Sequence, residues 1–149
     1  MWNERYGSDD FAYGTEPNSF LVENAKLLAG PVLSLAEGEG RNAVFLASLG
    51  LEVLGVDGSE VGLAKAHKLA ESKGVQIRTE VAALATYEPP PTSYGSVVSI
   101  SAPLHSALRP RIDPLVEHRV KPAVILLLSA YPPYQLRRYT GCRHASALL

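Results

Sequence analysis

One stretch of this sequence, residues 32–57, constrains the fold more than any other. It begins with a short apolar run at 32–36, passes through a turn that contains two glycines, and continues as an apolar helical pattern up to Gly50. A second apolar run at 51–56 then ends at Asp57. This order predicts one βαβ unit with a carboxylate at the tip of its second strand.

The residues of this unit are typical of a nucleotide-binding site. Gly38 and Gly40 allow the backbone to approach a ligand, and the following helix points unpaired N–H groups at the same place. Asp57 can accept hydrogen bonds from both hydroxyls of a ribose. With Ala43, the glycines also fit the dinucleotide pattern GxGxxA, although a tight turn beside a solvated acid remains the simpler alternative.

The charge of the glycine loop favours a particular nucleoside. Glu37 and Glu39 place negative charge where a dinucleotide would put its pyrophosphate, so a cationic ligand is expected instead. S-adenosylmethionine carries a sulfonium and an ammonium group on a ribosylated adenine and therefore suits such a loop. About 30 residues also precede the first strand, whereas a dinucleotide-binding domain often begins almost directly with that strand. NAD(P) remains the alternative cofactor.

Several motifs resemble those of one known family. They are WNERY at 2–6, YGTEPNSFL at 13–21, LAEGEGRNAVFLA at 35–47 and VDGSEVGLAKA at 56–66, with fainter matches at 97–100, 121–122 and 130–131. The sequence is similar to class I S-adenosylmethionine-dependent methyltransferases, and within them to the tellurite-resistance and thiopurine methyltransferase-like group. The resemblance extends to about residue 140.

The resemblance and the alternation of apolar runs predict an α/β fold. We expect a Rossmann-like parallel sheet with helices on both faces, within a single domain spanning 1–149. That domain divides into an N-terminal cap and helix at 1–31, a βα core at 32–128 and a short tail at 129–149. Because so few residues remain, we expect the family's C-terminal antiparallel strands to be missing, which leaves the fifth strand as an open edge. A homodimer through that edge or through the tail is predicted.

The candidate cofactor contacts follow partly from the pattern and partly from the resemblance. We expect Asp57 to bind the ribose and residues 38–42 the methionine portion, whereas the resemblance implies that the N-terminal aromatic segment covers the methionine end. The predicted cofactor site comprises Arg5, Tyr6, Tyr13, Glu37, Gly38, Glu39, Gly40, Asn42, Asp57, Gly58, Ala83, Leu84 and Ser99. His105, in the predicted loop at 101–109, is the candidate general base, although a structural or solvent-facing role is commoner for such a histidine.

The sequence departs from the family at several motif positions. The family usually has an acid that contacts adenine where Ala83 stands, so that contact is lost or moves to the backbone near Leu84. Other differences replace Asp by Ser34, two glycines by Ala123 and Val124, and Glu by Ser129. These departures predict weak cofactor binding or loss of activity.

The sequence contains no convincing catalytic dyad, and methyl transfer mainly requires alignment of the acceptor with the methyl group. We therefore predict a methyltransferase acting on a small soft nucleophile, of thiol or chalcogen type, with no dedicated acid or base. The alternatives are a catalytically silent cofactor-binding or assembly module and, less favoured, an NAD(P)-dependent oxidoreductase.

Composition limits the remaining classes of function. The 149 residues have a formal net charge of −1, and basic residues do not form a long stripe with aromatics, so nucleic acid is not an expected partner. No apolar run has the length of a membrane span or the position of a signal region. The single cysteine favours a reducing cytoplasm. The spacing of the four histidines predicts no metal site.

Overall fold

The computed structural model describes residues 2–12, 14–35, 37–83, 86–87 and 94–100, together with the strand backbone of residues 120–129, 135–140 and 143–147. The elements in chain order are α1 Trp2–Arg5, α2 Ser19–Asn24, a 3-10 turn Ala25–Leu27, β1 Val32–Leu35, α3 Arg41–Ser48, β2 Val53–Asp57, α4 Glu60–Ser72, β3 Arg78–Val81, β4 Tyr94–Ile100, β5 Val120–Ser129, β6 Gln135–Thr140 and β7 Arg143–Ala147. This order confirms the predicted βαβ unit. None of the described helices is long and apolar enough to cross a bilayer.

The strands form one sheet in the order β3-β2-β1-β4-β5-β6-β7. The first five strands in this order, from β3 across to β5, are all parallel. From β1, the chain moves outward to β2 and β3 and then returns to place β4 on the other side of β1. Connections therefore leave the β1–β4 junction in opposite directions, and such a switch point opens a crevice at the carboxyl ends of the strands. The predicted parallel sheet is confirmed, and β3 lies at its edge.

The C-terminal part of the fold differs from the prediction. Two antiparallel strands are present, since β6 pairs with β5 and β7 pairs with β6. The expectation that these strands are missing is therefore wrong, and so is the open edge assigned to β5. The physical reason is that the apolar β5 exposes a row of backbone donors and acceptors, which even a short polar segment can satisfy. The homodimer is predicted partly because β5 is expected to be an open edge. Dimerisation loses that support and stays a prediction.

The helix boundaries follow from local residue chemistry. The side chain of Asn18 caps α2 by accepting a hydrogen bond from Leu21 N at 3.2 Å, and Ser59 caps α4 by accepting one from Gly62 N at 3.0 Å. Gly50, with φ of 89°, adopts the left-handed conformation just after α3. These residues fix the start of α4 and the end of α3, and hence how each helix meets the neighbouring strands.

The core lies between the sheet and helices α2, α3 and α4. Apolar residues from all of these elements form one buried cluster: Leu21, Ala25, Leu28, Val32, Ala43, Val44, Leu46, Val53, Ala66, Leu69, Ala70, Ile77 and Val98. α3 and α4 also contact each other. Residues 101–119, which connect β4 to β5, lie outside the described residues.

Candidate functional site

The carboxyl ends of three neighbouring strands come together at the switch point. Leu35 at the end of β1 is in register with Val56 of β2 on one side and with Ser99 of β4 on the other. Asp57 is in turn paired with Val81 at the end of β3. The structure therefore brings the glycine loop, Asp57 and Ser99 to one edge of the sheet, as the sequence predicts.

Asp57 is held in place by backbone donors. Its Oδ2 atom accepts a hydrogen bond from Gly38 N at 2.9 Å, and its Oδ1 atom accepts one from Ser59 N at 2.8 Å. A carboxylate has about four acceptor positions, and the backbone donors do not use all of them. Burial raises the pKa of Asp57, while the hydrogen bonds from Ser59, Gly38 and Gly58 oppose that shift. The fixed carboxylate can therefore accept a further hydrogen bond from a ligand hydroxyl group.

Glu37 turns into the protein. Its carboxyl group accepts hydrogen bonds from Ser34 Oγ and, at 2.8 Å, from Ala43 N, and the residue is buried. Burial raises its pKa to about 7, with a smaller contribution from the charge of Asp57. The hydrogen bonds and the charge of Arg41 act in the opposite direction. The interpretation of Glu37 as open negative charge facing a ligand is therefore wrong.

Glu39 is also engaged by protein groups. Its Oε2 atom lies 2.8 Å from Lys65 Nζ, and its Oε1 atom accepts a hydrogen bond from Ala12 N at 2.7 Å. Lys65 Nζ in addition donates to Asp10 O at 2.8 Å and lies 5.5 Å from the centre of the Phe11 ring. This cluster, here called the clamp, fastens the N-terminal segment to both the glycine loop and α4. The role of Lys65 is not predictable from the sequence, because its partner Glu39 lies 26 positions away and no local pattern links them.

Tyr6 lies in the slot between the glycine loop and α4. It is buried, and a Cβ at Gly38 would lie 2.8 Å from the Tyr6 hydroxyl oxygen. A Cβ at Gly40 would lie 2.5 Å from Ala66 Cβ. Packing within the protein therefore requires both glycines, and close approach of a ligand to the loop stays a prediction. Arg5 is exposed, and Tyr13 lies outside the described residues.

The remaining predicted contacts fall into different environments. Asn42 is buried, and its Oδ1 atom accepts a hydrogen bond from Asn18 N at 2.9 Å, so it joins α3 to the start of α2. Gly58 and Ala83 are exposed beside the strand ends. Leu84 and His105 lie outside the described residues, so the role of His105 as general base stays a prediction.

The buried hydroxyl group of Ser99 lacks a hydrogen-bond partner among the described residues. The residue is 3% exposed, and within the described chain its Oγ atom has no hydrogen-bond partner. A buried unsatisfied hydroxyl costs about 1–3 kcal/mol, so a ligand that supplied a partner here would gain that energy. Its position at the end of β4, beside β1, places this hydroxyl at the switch point.

The described side chains do not form a metal-binding cluster. They contain no group of three or more histidine, cysteine, aspartate or glutamate residues that could hold an ion. His118, His144 and Cys142 lie outside the side chains that the structure describes.

Comparison with known proteins identifies the domain type. A family model described as a methyltransferase domain matches residues 32–120. No curated protein sequence matches the chain at a significant level.

Solved structures share the fold across a larger part of the chain. The CcbJ methyltransferase from Streptomyces caelestis aligns over 93% of this chain and 66% of its own, with a TM-score of 0.65 and 19% identity. TehB from Haemophilus influenzae aligns over 85% and 43%, with a TM-score of 0.65 and 18% identity. A tRNA (uracil-54, C5)-methyltransferase from Pyrococcus abyssi, in complex with S-adenosyl-L-homocysteine, aligns over 73% and 27%, with a TM-score of 0.60 and 22% identity. The chain thus spans between about a quarter and two thirds of these three proteins.

Proposed function

Because this chain belongs to the methyltransferase-domain family, whose model matches residues 32–120, we propose that it is an S-adenosylmethionine-dependent methyltransferase. The observation that carries the proposal is Asp57, a carboxylate fixed at the tip of β2 by Gly38 N and Ser59 N with acceptor capacity left for a ligand hydroxyl. A ribose diol has two donors at the spacing that such a carboxylate accepts.

The described residues divide the work of holding the cofactor. Asp57 would accept the ribose hydroxyls, and the buried Ser99 hydroxyl would gain its missing partner from the ligand. Tyr6, against the glycine loop, would cover the methionine end and exclude water. The cofactor supplies a methyl group on a sulfonium, which is a good leaving group. What the chain must contribute is alignment of the acceptor with that methyl group.

The acceptor that fits best is a small soft nucleophile, of thiol or chalcogen type. Two observations support this class. The carboxylates of Glu37 and Glu39 are both engaged by protein groups, so neither is free to act as a base toward an acceptor. A thiol attacks the methyl carbon as its thiolate, which is already present at a few per cent near pH 7, so its proton goes to solvent and no dedicated protein base is required. The motifs at 2–6, 13–21, 35–47 and 56–66, which resemble those of the tellurite-resistance and thiopurine methyltransferase-like group, are the second observation.

The proposal is tested by calorimetric titration with S-adenosylmethionine, S-adenosylhomocysteine and NADH. We expect the two adenosyl ligands to bind and Asp57→Ala to weaken both by roughly tenfold to a hundredfold, because charge-assisted hydrogen bonds contribute about 1.5–3 kcal/mol. Asp10→Asn, an exposed aspartate whose described contacts use its backbone oxygen, is the matched control and should bind as the parent does. Binding of NADH alone would assign the oxidoreductase alternative.

A second candidate is a catalytically silent module of the same fold. It is favoured by the exposed Ala83, which offers no side-chain acceptor where the family reads adenine. An active methyltransferase converts S-adenosylmethionine to S-adenosylhomocysteine, whereas a silent module only binds it. Incubation with S-adenosylmethionine and a panel of thiols and reduced chalcogen species should release S-adenosylhomocysteine if the chain is an enzyme. Binding without release from any acceptor would support the silent module.

A further inference from the structure

A second cavity lies outside the carboxyl-edge site, between α4 and the N-terminal segment. Its volume is about 380 Å³, within the range of about 300–1,000 Å³ that small-molecule pockets occupy. The residues that line it are Asp9, Phe11, Thr15, Lys65, Lys68, Leu69, Ser72 and Lys73.

The cavity is separate from the cofactor position. A helix rises about 1.5 Å per residue, so Lys68 lies about 12 Å along the axis of α4 from Glu60, the end nearest Asp57. Ser72 lies still farther from that end. A ligand seated among these residues would therefore not contact Asp57.

The walls of the cavity are held together by the clamp. Phe11 is flanked by Asp10, whose carbonyl accepts from Lys65 Nζ, and by Ala12, whose N–H donates to Glu39. The Lys65 ammonium also lies over the Phe11 ring. Leu69, on the α4 side, is buried. The apolar part of the cavity is thus fixed before any ligand arrives.

The charges around the cavity are unbalanced. Lys65 is neutralised by Glu39, but within the described residues Lys68 and Lys73 have no carboxylate partner. Asp9 is the one acid in the lining. Two free ammonium groups against one carboxylate leave a net positive site, with the Thr15 hydroxyl as a further donor.

We propose that this cavity binds a small organic anion, consisting of a carboxylate or phosphate group on a flat apolar body. The body contacts Phe11 and Leu69, and the oxyanion lies between Lys68 and Lys73. Nothing in this inference depends on methyl transfer, so the two proposals can fail separately.

The test is a titration followed by ¹H–¹⁵N NMR on the full chain without any adenosyl ligand. The probes are phenylacetate, phenyl phosphate and the neutral isostere phenylacetamide. We expect one or both anions to cause saturable shifts in the amides of residues 9–15 and 65–73, whereas phenylacetamide causes none. Whichever anion binds more tightly identifies the preferred oxyanion.

Substitution of the two exposed lysines tests whether their charges contribute to binding of the anion. In Lys68→Gln/Lys73→Gln, the anion should bind about tenfold more weakly, the sum of two modest charge contributions. Lys26→Gln removes a lysine that does not line the cavity and should leave the affinity unchanged. Shifts that do not saturate, that phenylacetamide reproduces, or that survive equally in the double variant would each overturn the proposal.

Discussion

Lys65 Nζ lies 2.8 Å from Glu39 Oε2, and both side chains are largely withdrawn from solvent, at 12% and 4% exposure. The pair connects the middle of α4 to the glycine loop. Because Glu39 also accepts from Ala12 N and Lys65 also donates to Asp10 O, the same pair holds the N-terminal segment in place. A single interaction thus unites three parts of the chain around the candidate site.

Removing one partner of this pair should destabilise the fold strongly. Lys65→Met leaves the Glu39 carboxylate buried without a counter-charge, which costs about 3–5 kcal/mol. Urea denaturation measures the loss, and Lys68→Met, on an exposed part of the same helix, should change the free energy of unfolding by less than about 0.5 kcal/mol.

A double variant separates charge from packing. Glu39→Gln/Lys65→Met should be more stable than Lys65→Met alone, because it no longer contains a lone buried carboxylate. If Lys65→Met and Lys68→Met proved equally stable, the clamp would not contribute to stability.

Glu37 should give the fold a pH dependence of unusual sign. Its pKa is about 7 in the folded chain against an ordinary value of 4.5, so the unfolded chain releases this proton first as the pH rises. Stability from this group is complete below the unfolded pKa and is lost between pH 4.5 and about 7, by up to about 3 kcal/mol.

Glu37→Gln is the matched variant for this effect. Its amide can still accept from Ala43 N and can donate to Ser34 Oγ, but it does not titrate. Urea midpoints compared from about pH 5 to about pH 8 should therefore show the parent losing stability relative to Glu37→Gln as the pH rises. A constant difference between the two proteins would contradict the raised pKa.

The central part of the fold was predictable because its signals are local. The apolar runs around Gly38 and the acid at position 57 each follow from neighbouring residues, and the structure places them as expected. Parallel pairing then brings the strand ends together without further information from the sequence.

The errors have a common physical origin in long-range pairing. The segment QLRRYT is polar, and only the unpaired edge of β5 makes it a strand. Likewise, Glu37 and Glu39 look like solvated loop acids until Ser34, Ala43 and Lys65 provide partners. A local pattern indicates where a carboxylate occurs but not which buried group it contacts.

Gly38 should be more sensitive to substitution than another glycine of similar backbone conformation. Its φ is 63° and that of Gly50 is 89°, so alanine at either position costs about 1–2 kcal/mol from backbone strain. At Gly38 the added methyl group would also meet the Tyr6 hydroxyl, whereas at Gly50 there is open space. Urea denaturation should therefore show a larger loss for Gly38→Ala than for Gly50→Ala.

The same contact predicts a rescue. Tyr6→Phe removes the hydroxyl oxygen nearest the added methyl group, so Gly38→Ala/Tyr6→Phe should recover part of the stability that Gly38→Ala loses. Equal losses for the two glycine variants, with no recovery in the double variant, would mean that Tyr6 does not occupy this slot.

Ser99 and Ser96 provide a matched pair on β4, because both are buried but only one is satisfied. Ser96 Oγ donates to Ala29 O and accepts from Ala29 N, each at 2.9 Å, whereas Ser99 Oγ has no partner among the described groups. Ser96→Ala should therefore lower the free energy of unfolding by about 1–3 kcal/mol, since it removes two hydrogen bonds that contribute about 0.5–1.5 kcal/mol each.

Ser99→Ala should keep or raise the stability of the protein without ligand but weaken its binding of the ligand. Without ligand, the variant should be as stable as the parent or more stable by up to about 1 kcal/mol, because an unsatisfied hydroxyl is removed. If the ligand supplies the missing partner, the same variant should bind S-adenosylhomocysteine several-fold more weakly in calorimetry. Unchanged affinity together with raised stability would show that this hydroxyl destabilises the fold and takes no part in binding. Loss of stability would show that the hydroxyl has a hydrogen-bond partner in solution.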